Sequence, residues 1–318
     1  MTKPYALFLD RASLYPDDLD LKVLEAVASW QWFDNARTSD IQHYLEEAEI
    51  IVSNKVVINR EVIEGSKQLK LICVAATGVN NIDLEAAHLH NITVCNARAY
   101  ATSSVVQHVF SLLLHLNRKL SSYRQSVIDG NWSQSEFFCY FGEPVSDLEG
   151  KTLGIIGYGE LGKAVARIAE CFAMKVLLAS RDEADSRPGR VDLTELLSSS
   201  DVVSLHCPLT ENNRHMIAAD ELALMKTDAI LINTARGGLV DEAALLNALE
   251  NNQIGAAALD VLEQEPPPAN HPLFSYHADN LIITPHVAWA SQQSRQRLVN
   301  EIADNIQAYL RGELRNII

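Results

Sequence analysis

Basic residues are scarce in this sequence: 26 lysines and arginines stand against 41 aspartates and glutamates, so the 318-residue chain has a formal charge of −15. They form no cluster that could neutralise a phosphate backbone, and the sequence therefore predicts no nucleic-acid partner. No stretch approaches the roughly 18 apolar residues of a membrane-spanning helix. The N-terminus has only a short apolar run before Asp10, too short for a signal peptide. We expect a soluble, cytoplasmic protein with no membrane partner.

Cysteine is also sparse. The five cysteines are odd in number and widely spaced, and none belongs to a CxxC pair. This spacing predicts reduced thiols and no metal site. Hydrophobic residues, in contrast, make up 47% of the chain. A chain of this length and composition can form two domains, each with its own core.

The first half of the chain alternates short apolar runs with amphipathic segments. The strand-like runs are "YALFLD", "AEIIVSN", "LKLICVAA" and "ITVCNA", and the helix-like segments are residues 17–29, 59–65 and 82–90. This alternation predicts parallel strands joined by helices. Residues 102–129 form one long helical pattern, with Thr102 as a candidate N-cap and Gly130 after its end. We expect that helix to link two lobes.

The second half contains six clearer strand patterns, and a glycine-rich motif follows the first of them. The strands are "TLGIIG", "KVLLA", "DVVSLH", "AILINT", "AAALD" and "LIIT", which is the complement of a doubly wound dinucleotide-binding fold. In "GYGELG", we assign Gly157 to the tight turn, Gly159 to the approach of the pyrophosphate and Gly162 to helix–strand contact. The motif and its position predict a nucleotide site.

Three reactive side chains follow neighbouring strands of this predicted sheet, namely Arg236, Glu265 and His286. Ligands of such sheets bind outside the carboxyl ends of the strands. Together the three suit hydride transfer to a 2-keto acid: the arginine binds the carboxylate through two parallel hydrogen bonds. The histidine supplies the proton, and the glutamate keeps that histidine charged and oriented. The alternative for Arg236 is a surface turn, that for Glu265 is a solvated charge in a loop, and that for His286 is a cap of the following helix.

The ordered motifs "GYGELG", "HCPLT", "NTARGGLVDE", "ALDVLEQEPP" and "TPHVAW" resemble the signatures of the D-isomer-specific 2-hydroxyacid dehydrogenases. The resemblance covers nearly the whole chain and implies the same three catalytic residues. It implies an α/β protein with two Rossmann-like domains. Residues 1–100 plus 286–318 would form a flavodoxin-like substrate domain, and residues 101–285 a doubly wound NAD(P)-binding Rossmann domain. It also implies a homodimer built on the nucleotide domain.

A helix after the sixth strand would complete the first domain. Its apolar residues Leu298, Ile302, Ile306 and Leu310 recur every four positions and are expected on one face. The loop "AATGVNNID" matches the family segment whose amides receive the substrate carboxylate, which points to Ala76, Thr77 and Gly78 as substrate-binding residues. The alternative for this loop is a plain strand-to-helix turn. We expect the cleft between the lobes to close on the substrate and to exclude water.

Two details resemble the glycerate dehydrogenases, also called hydroxypyruvate reductases: the loop just described and Trp289 after the candidate histidine, which we expect to contact substrate. Simple packing is the alternative for that tryptophan. The sequence stops after the returning helix, without the regulatory domain that phosphoglycerate dehydrogenases often carry. We therefore expect hydroxypyruvate or glyoxylate as substrate, with another acid such as phosphoglycerate as an alternative. A nicotinamide-sensing binding protein of the corepressor type is a second alternative.

The cofactor contacts are predicted after the strands and at the long helix. They are Thr102, Gly157, Tyr158, Gly159, Glu160, Leu161, Gly162, Ser180, Arg181, His206, Cys207, Pro208, Thr234, Ala235, Asp260 and His286. NAD enzymes usually have an acidic residue about 20 positions after the first glycines. That position is Ser180, followed by Arg181, and an arginine can pair with a 2′-phosphate. We expect NADP to be preferred over NAD, with the alternative that Asp182 serves the ribose hydroxyl.

Overall fold

The computed structural model describes residues 3–181, 185 and 187–318, excepting the side chains of residues 38–40 and 42. The chain folds as two compact units: unit 1 comprises residues 1–101 and 290–318, and unit 2 comprises residues 102–289. The sequence-based boundary between residues 285 and 286 differs from this division by four residues. In unit 2, the Asp260 carboxylate binds the amides of Val287 and Ala288, which ties this segment to the second unit.

Unit 1 contains a five-stranded sheet in the order β2-β1-β3-β4-β5, and all of its strand pairs are parallel. This is the flavodoxin-like strand order. The central strands β3 and β4 are fully buried, as expected for a parallel sheet covered on both faces. The elements are β1 (Tyr5–Phe8), α1 (Lys22–Val27), β2 (Ser29–Trp32), α2 (Thr38–Leu45), β3 (Ile50–Ser53), α3 (Arg60–Gly65), β4 (Leu71–Val74), α4 (Leu84–Leu89) and β5 (Thr93–Cys95), with 3₁₀ turns at Arg11–Leu14 and Pro16–Asp18.

The helix predicted over residues 17–29 is wrong at both ends. Its start lies in the 3₁₀ turn at Pro16–Asp18, only α1 is α-helical, and the chain then enters the edge strand β2. Aromatic packing explains this strand: the rings of Trp30 and Trp32 stack with centroids 4.9 Å apart, and the Trp32 ring lies 5.7 Å from that of Phe8 on β1. Aromatic side chains of this kind favour the pleated surface of a sheet.

Unit 2 contains a seven-stranded parallel sheet in the order β12-β11-β10-β9-β6-β7-β8. The six strands predicted from the sequence are all present, and the short β8 adds to them. The elements are α5 (Thr102–Asn117), α6 (Leu120–Ile128), β6 (Thr152–Ile156), α7 (Glu160–Cys171), β7 (Lys175–Ala179), β8 (Arg190–Val191), α8 (Leu193–Ser199), β9 (Val202–Leu205), α9 (Ala219–Leu224), β10 (Ile230–Asn233), α10 (Glu242–Glu250), β11 (Ala256–Leu259) and β12 (Leu281–Ile283), with 3₁₀ turns at Glu211–Asn213, Gly237–Leu239 and Pro272–Ser275.

The long helix predicted over residues 102–129 is two helices. Lys119 adopts a left-handed backbone conformation, with φ at 53°, and this ends the regular hydrogen bonding between α5 and α6. Helix α5 begins at Thr102 itself, so this residue lies inside the helix and not before it. Seven residues of α5 are buried, whereas α6 buries none.

The chain then returns to unit 1 through α11 (Gln292–Leu310), which packs against α1 and β4. Leu298, Ile302 and Ile306 are completely buried, as the four-residue spacing predicted. Leu310 is the last residue of the helix, and half of it is exposed. Within the described ranges, no helix has the length and apolarity needed to cross a bilayer.

Candidate active site

The candidate catalytic residues lie at the carboxyl edge of the unit 2 sheet. Strands β10, β11 and β12 are adjacent and parallel, so the segments that follow them leave the sheet at the same edge. Arg236 follows β10, Glu265 follows β11, and His286 follows β12. The topology thus places all three where ligands of doubly wound sheets bind.

The imidazole of His286 is hydrogen-bonded to Glu265. Its Nδ1 lies 2.7 Å from Oε2 of Glu265, and because a carboxylate only accepts, Nδ1 donates. The other oxygen, Oε1, accepts a hydrogen bond of 3.0 Å from the amide of Leu262. Both oxygens of Glu265 are therefore engaged, and Nε2 is the ring nitrogen of His286 that can act on a substrate.

The backbone of His286 is strained. Its φ is 53°, a left-handed conformation that costs a residue with a side chain about 1–2 kcal/mol. The conformation is held by hydrogen bonds from the His286 amide to the carbonyls of Asp260 (2.7 Å) and Thr284 (3.0 Å). The Asp260 carboxylate accepts two further amides, those of Val287 and Ala288, at 2.9 Å each. Asp260 thus shapes the turn that presents the histidine.

Asp260 was predicted as a cofactor contact, and the structure shows its carboxylate completely buried and bound within the protein. The Thr284 hydroxyl donates to it over 2.6 Å, and His108 Nε2 lies 3.4 Å away. Burial opposes ionisation, but the hydrogen bonds from His108, Thr284 and the two amides hold the pKa of Asp260 below its usual value. His108 also lies 3.0 Å from the Thr284 hydroxyl, a contact that helical periodicity could not reveal.

Arg236 lies in a turn that packs closely on the loop bearing Glu265. Its Nη1 donates to the Ala235 carbonyl over 2.7 Å, and its own carbonyl accepts from Asn233 Nδ2 over 2.9 Å. A Cβ at the next residue, Gly237, would overlap the main chain of Leu262. Within residues 3–181, 185 and 187–318, no carboxylate forms an ion pair with Arg236. Its charge is available for an anionic ligand.

The glycine-rich turn has the shape that a dinucleotide requires. Gly157 has φ at +99°, and a Cβ there would overlap the main chain of His206 and Cys207. A Cβ at Gly162 would overlap the Gly157 carbonyl. Helix α7 starts at Glu160, so its N-terminal amides lie directly after this turn.

Two buried polar atoms near this turn have no hydrogen-bond partner among the described residues: Nδ1 of His206 and Oγ1 of Thr234. They follow β9 and β10, which are neighbouring strands of the sheet. Burial lowers the pKa of His206 to about 4, so its ring is neutral at pH 7. Unpaired buried polar atoms are costly, and both fit contacts to a bound nicotinamide cofactor. Burial likewise raises the pKa of the neighbouring Cys207 thiol.

The other predicted cofactor residues are distributed around the same turn. The Thr102 hydroxyl donates to the Glu160 carboxylate, so these two contact each other. The Tyr158 ring lies 5.4 Å from the guanidinium carbon of Arg190 and 6.0 Å from Nζ of Lys163. Leu161 lies in the first turn of α7, and Pro208 and Ala235 lie in the turns after β9 and β10, respectively.

The segment after β7 carries the residues predicted to select the cofactor. Ser180 donates its amide to the Val191 carbonyl over 2.7 Å, and the exposed Arg181 donates its amide to Asp185 over 2.8 Å. Arg187 pairs with the same carboxylate at 2.6 Å. Asp182, the alternative partner of the ribose, lies outside the described residues.

The predicted substrate loop of unit 1 follows β4 and is held on both sides. The Thr77 hydroxyl donates to the Ala97 carbonyl over 2.9 Å, and the Thr77 carbonyl accepts from Asn96 Nδ2 over 2.7 Å. The Ala76 carbonyl accepts the Ala97 amide over 3.0 Å, and Gly78 follows in the same turn. In unit 2, the Trp289 indole donates to the His286 carbonyl over 2.9 Å, which ties this tryptophan to the histidine turn.

Residues 110–288 match the family model described as D-isomer specific 2-hydroxyacid dehydrogenase, NAD binding domain. The chain belongs to this family of D-isomer-specific 2-hydroxyacid dehydrogenases. It is 45% identical to a glycerate dehydrogenase of Methylorubrum extorquens over 100% of this chain and 99% of the relative. It is 37% identical to a hydroxypyruvate reductase of Blautia hydrogenotrophica over 98% of each chain. A solved structure of an acyclic imino acid reductase (Bsp5), in complex with NADPH and D-Arg, has a TM-score of 0.86, 31% identity and 99% coverage of both chains.

This family membership confirms the resemblance seen in the sequence and the α/β fold class. The matched model includes nearly all of unit 2, which is therefore the NAD-binding domain. As a member of this family, the protein is an oxidoreductase that uses a nicotinamide cofactor. In the described part of the chain, no three His, Cys, Asp or Glu side chains are grouped so that they could hold a metal ion.

Proposed function

We propose that this dehydrogenase reduces hydroxypyruvate or glyoxylate to the D-2-hydroxy acid by hydride transfer from NAD(P)H. The observation that carries the proposal is the 2.7 Å hydrogen bond between His286 and Glu265 at the edge of the NAD-binding sheet. A carboxylate at this distance favours a charged imidazole, which is the acid that carbonyl reduction needs. The names of the relatives at 45% and 37% identity support the choice of substrate.

His286 donates the proton in this scheme. A nicotinamide bound at this edge would supply a hydride to the carbonyl carbon, and negative charge would then develop on the carbonyl oxygen. That oxygen takes the proton from Nε2 of His286, while Nδ1 keeps its proton in the hydrogen bond to Glu265. The ring ends neutral and recovers its proton from solvent. Glu265 stabilises the charged ring before the transfer and holds its orientation throughout.

The substrate carboxylate is assigned to two groups. The guanidinium of Arg236 binds it through two parallel hydrogen bonds, which fixes the carbonyl carbon for transfer. Backbone amides of Ala76, Thr77 and Gly78 also receive it, and the hydrogen bonds on both sides of Thr77 support a rigid loop. Trp289 lies beside the histidine turn, where its ring would restrict the size of the substrate.

The cofactor is assigned to the carboxyl edge of the same sheet. The glycine turn and the first amides of α7 would bind the pyrophosphate. Nδ1 of His206 and Oγ1 of Thr234, which have no partner among the described residues, would form hydrogen bonds with the cofactor. Ser180 and Arg181 support a preference for NADP over NAD, because neither repels a 2′-phosphate and the arginine can pair with it.

We also propose a homodimer built on unit 2. Exposed aromatic rings are concentrated between residues 120 and 145, with Phe137 71%, Phe138 92% and Phe141 86% exposed. A groove of about 620 Å³ between α5 and α7 is lined partly by apolar side chains, including Val106, Phe110 and Ile168. An apolar surface of this kind is typical of a contact with another protein. In this dimer, the exposed rings of each copy contact the groove of the other copy. The interface is then closed and symmetric.

The test is an assay with the purified protein. Hydroxypyruvate or glyoxylate is added with NADPH, and oxidation is followed as loss of reduced-nicotinamide absorbance. We expect turnover with either keto acid, and a rate lower by about two to four orders of magnitude when His286 is replaced by Asn. Cofactor binding without turnover of any 2-keto acid would overturn the proposal and indicate the nicotinamide-sensing binding protein instead.

A further inference from the structure

The loop that carries Glu265 is held at both ends by one other carboxylate. Glu242 is the first residue of α10, and its Oε1 accepts the amide of Glu263 over 2.7 Å. Its Oε2 lies 3.0 Å from Nε2 of His271, which must donate because the carboxylate only accepts. The two bonds enclose residues 263–271, and Glu265 lies between them.

This arrangement is well shielded from solvent. The Glu242 side chain is 15% exposed and the His271 side chain 9%. Such charge-assisted hydrogen bonds are stronger than bonds between neutral groups. The loop between them contains three consecutive prolines after Glu265, and no regular helix or strand holds it in place before the short 3₁₀ turn that starts at Pro272.

A second set of contacts holds the same end of the loop. The Glu263 carboxylate pairs with Arg214, and its two oxygens each lie 3.2 Å from Nε2 of His215. Residue 263 is thus bound through its amide and its side chain. The preceding amide, that of Leu262, is the one that orients Glu265.

We propose that Glu242 is a positioning residue for proton transfer: by binding the Glu263 amide and the His271 ring, it keeps the Glu265 carboxylate in hydrogen-bonding contact with His286. This inference rests on the proposed function of the Glu265–His286 pair. Glu242 acts through the loop and touches neither substrate nor the reacting atoms. A loop free at one end would let the carboxylate move away from Nδ1, and a displacement of about 1 Å at such a pair can reduce rates strongly.

The informative variant is Glu242→Gln. An amide group keeps the size of the side chain but offers one acceptor oxygen and one NH₂ donor, so it can satisfy only one of its two donor partners. We expect kcat for keto-acid reduction to fall about tenfold, as for the loss of one hydrogen bond to a charged group. The basic limb of its pH profile should move to lower pH, because His286 loses part of its carboxylate contact. KM for the nicotinamide should stay unchanged.

Four further variants separate positioning from folding. His271→Leu releases the far end of the loop and should move the pH profile in the same direction, whereas His271→Gln retains a donor and should restore most of the activity. Glu250→Gln lies at the exposed end of the same helix and should have no effect. In a Glu265→Gln background, Glu242→Gln should move the profile no further, since the two act on the same proton.

A measurement independent of turnover completes the test. The titration of His286 is followed by NMR in histidine-labelled protein, and its midpoint should fall in Glu242→Gln but not in Glu250→Gln. A loss of thermal stability in Glu242→Gln with an unchanged midpoint and pH profile would overturn the inference. If the wild type reduces no keto acid but the midpoint still moves, the proposed function fails and the positioning role of Glu242 stands.

Discussion

The two oxygens of Glu265 make different contacts. Oε1 accepts a hydrogen bond from the Leu262 amide and Oε2 accepts one from His286 Nδ1. These two bonds orient the carboxylate before any substrate binds. The histidine is in turn presented by a left-handed turn that Asp260 stabilises. Groups that are already in place need no reorganisation during the reaction, and this is the main source of electrostatic catalysis.

Glu265→Gln should shift the pH profile more than it lowers the maximal rate. An amide oxygen can still accept from Nδ1, but the negative charge is lost, and the imidazolium becomes less stable relative to the neutral ring. The basic limb of kcat/KM for reduction should therefore move to lower pH. An unchanged profile in the Gln variant would refute the pairing.

His286→Asn removes the acid and should lower kcat by about two to four orders of magnitude while cofactor binding survives.

Arg236→Lys tests the carboxylate clamp. Lysine keeps the charge but loses the planar fork, so the substrate is held by one point instead of two. We expect a sharp rise in KM for the keto acid together with a lower kcat, because a misplaced carbonyl carbon is a poorer hydride acceptor. The dissociation constant of NADPH, measured by fluorescence, should change little. Near-normal kinetics would assign Arg236 to structure alone.

Sequence reasoning could find the catalytic candidates because each lies shortly after a strand. The contact of Glu265 with His286 follows from adjacent parallel strands, which the order of motifs already indicates. The roles of Asp260 and Glu242 could not be found in this way. Asp260 acts on amides of a turn whose backbone angles are invisible in the sequence, and the partner of Glu242 lies 29 positions away in an irregular loop.

The helices and strands of the fold could likewise be predicted only in part from the sequence. Buried parallel strands are continuous apolar runs, and all six of those predicted in unit 2 are present. Helical periodicity continues across residues 102–129 although the helix is interrupted at Lys119. A single left-handed residue hardly alters the pattern of apolar positions in the sequence. The edge strand β2 was missed because its apolar residues are tryptophans that follow a helical pattern without a glycine or proline between them.

The segment after β7 should decide between the two cofactors. Arg181 is exposed, and within the described part of the chain only its amide is bound, by Asp185, so we expect the side chain to turn to a 2′-phosphate. We expect kcat/KM to be higher with NADPH than with NADH, and Arg181→Ala to weaken NADPH far more than NADH. Lys175→Ala, at the opposite end of the same strand, is the matched control. Equal or better efficiency of the wild type with NADH would show that Ser180 and Arg181 do not select the phosphate.

The whole molecule exposes apolar surface unevenly. Of the exposed large apolar side chains in the described residues, eight lie between residues 120 and 145, and they are Leu120, Val127, Ile128, Trp132, Phe137, Phe138, Phe141 and Val145. Helix α6, in the same stretch, has no buried residue to anchor it. A net charge of −15 disfavours association at long range, so we expect any homodimer to depend on this apolar surface.

The homodimer is tested by placing a charge in that contact. We expect the wild type to sediment with twice the chain mass of 35.2 kDa, and Phe138→Asp to sediment as a monomer, because an unpaired carboxylate is costly to bury. The melting temperature of the wild type should rise with protein concentration, and that of the variant should not. Leu314→Asp is the control, since Leu314 is 89% exposed and belongs to unit 1, whereas the proposed contact is built on unit 2. A wild type that is monomeric at every concentration, or a Phe138→Asp variant that remains dimeric, would mean that residues 120–145 do not form the interface.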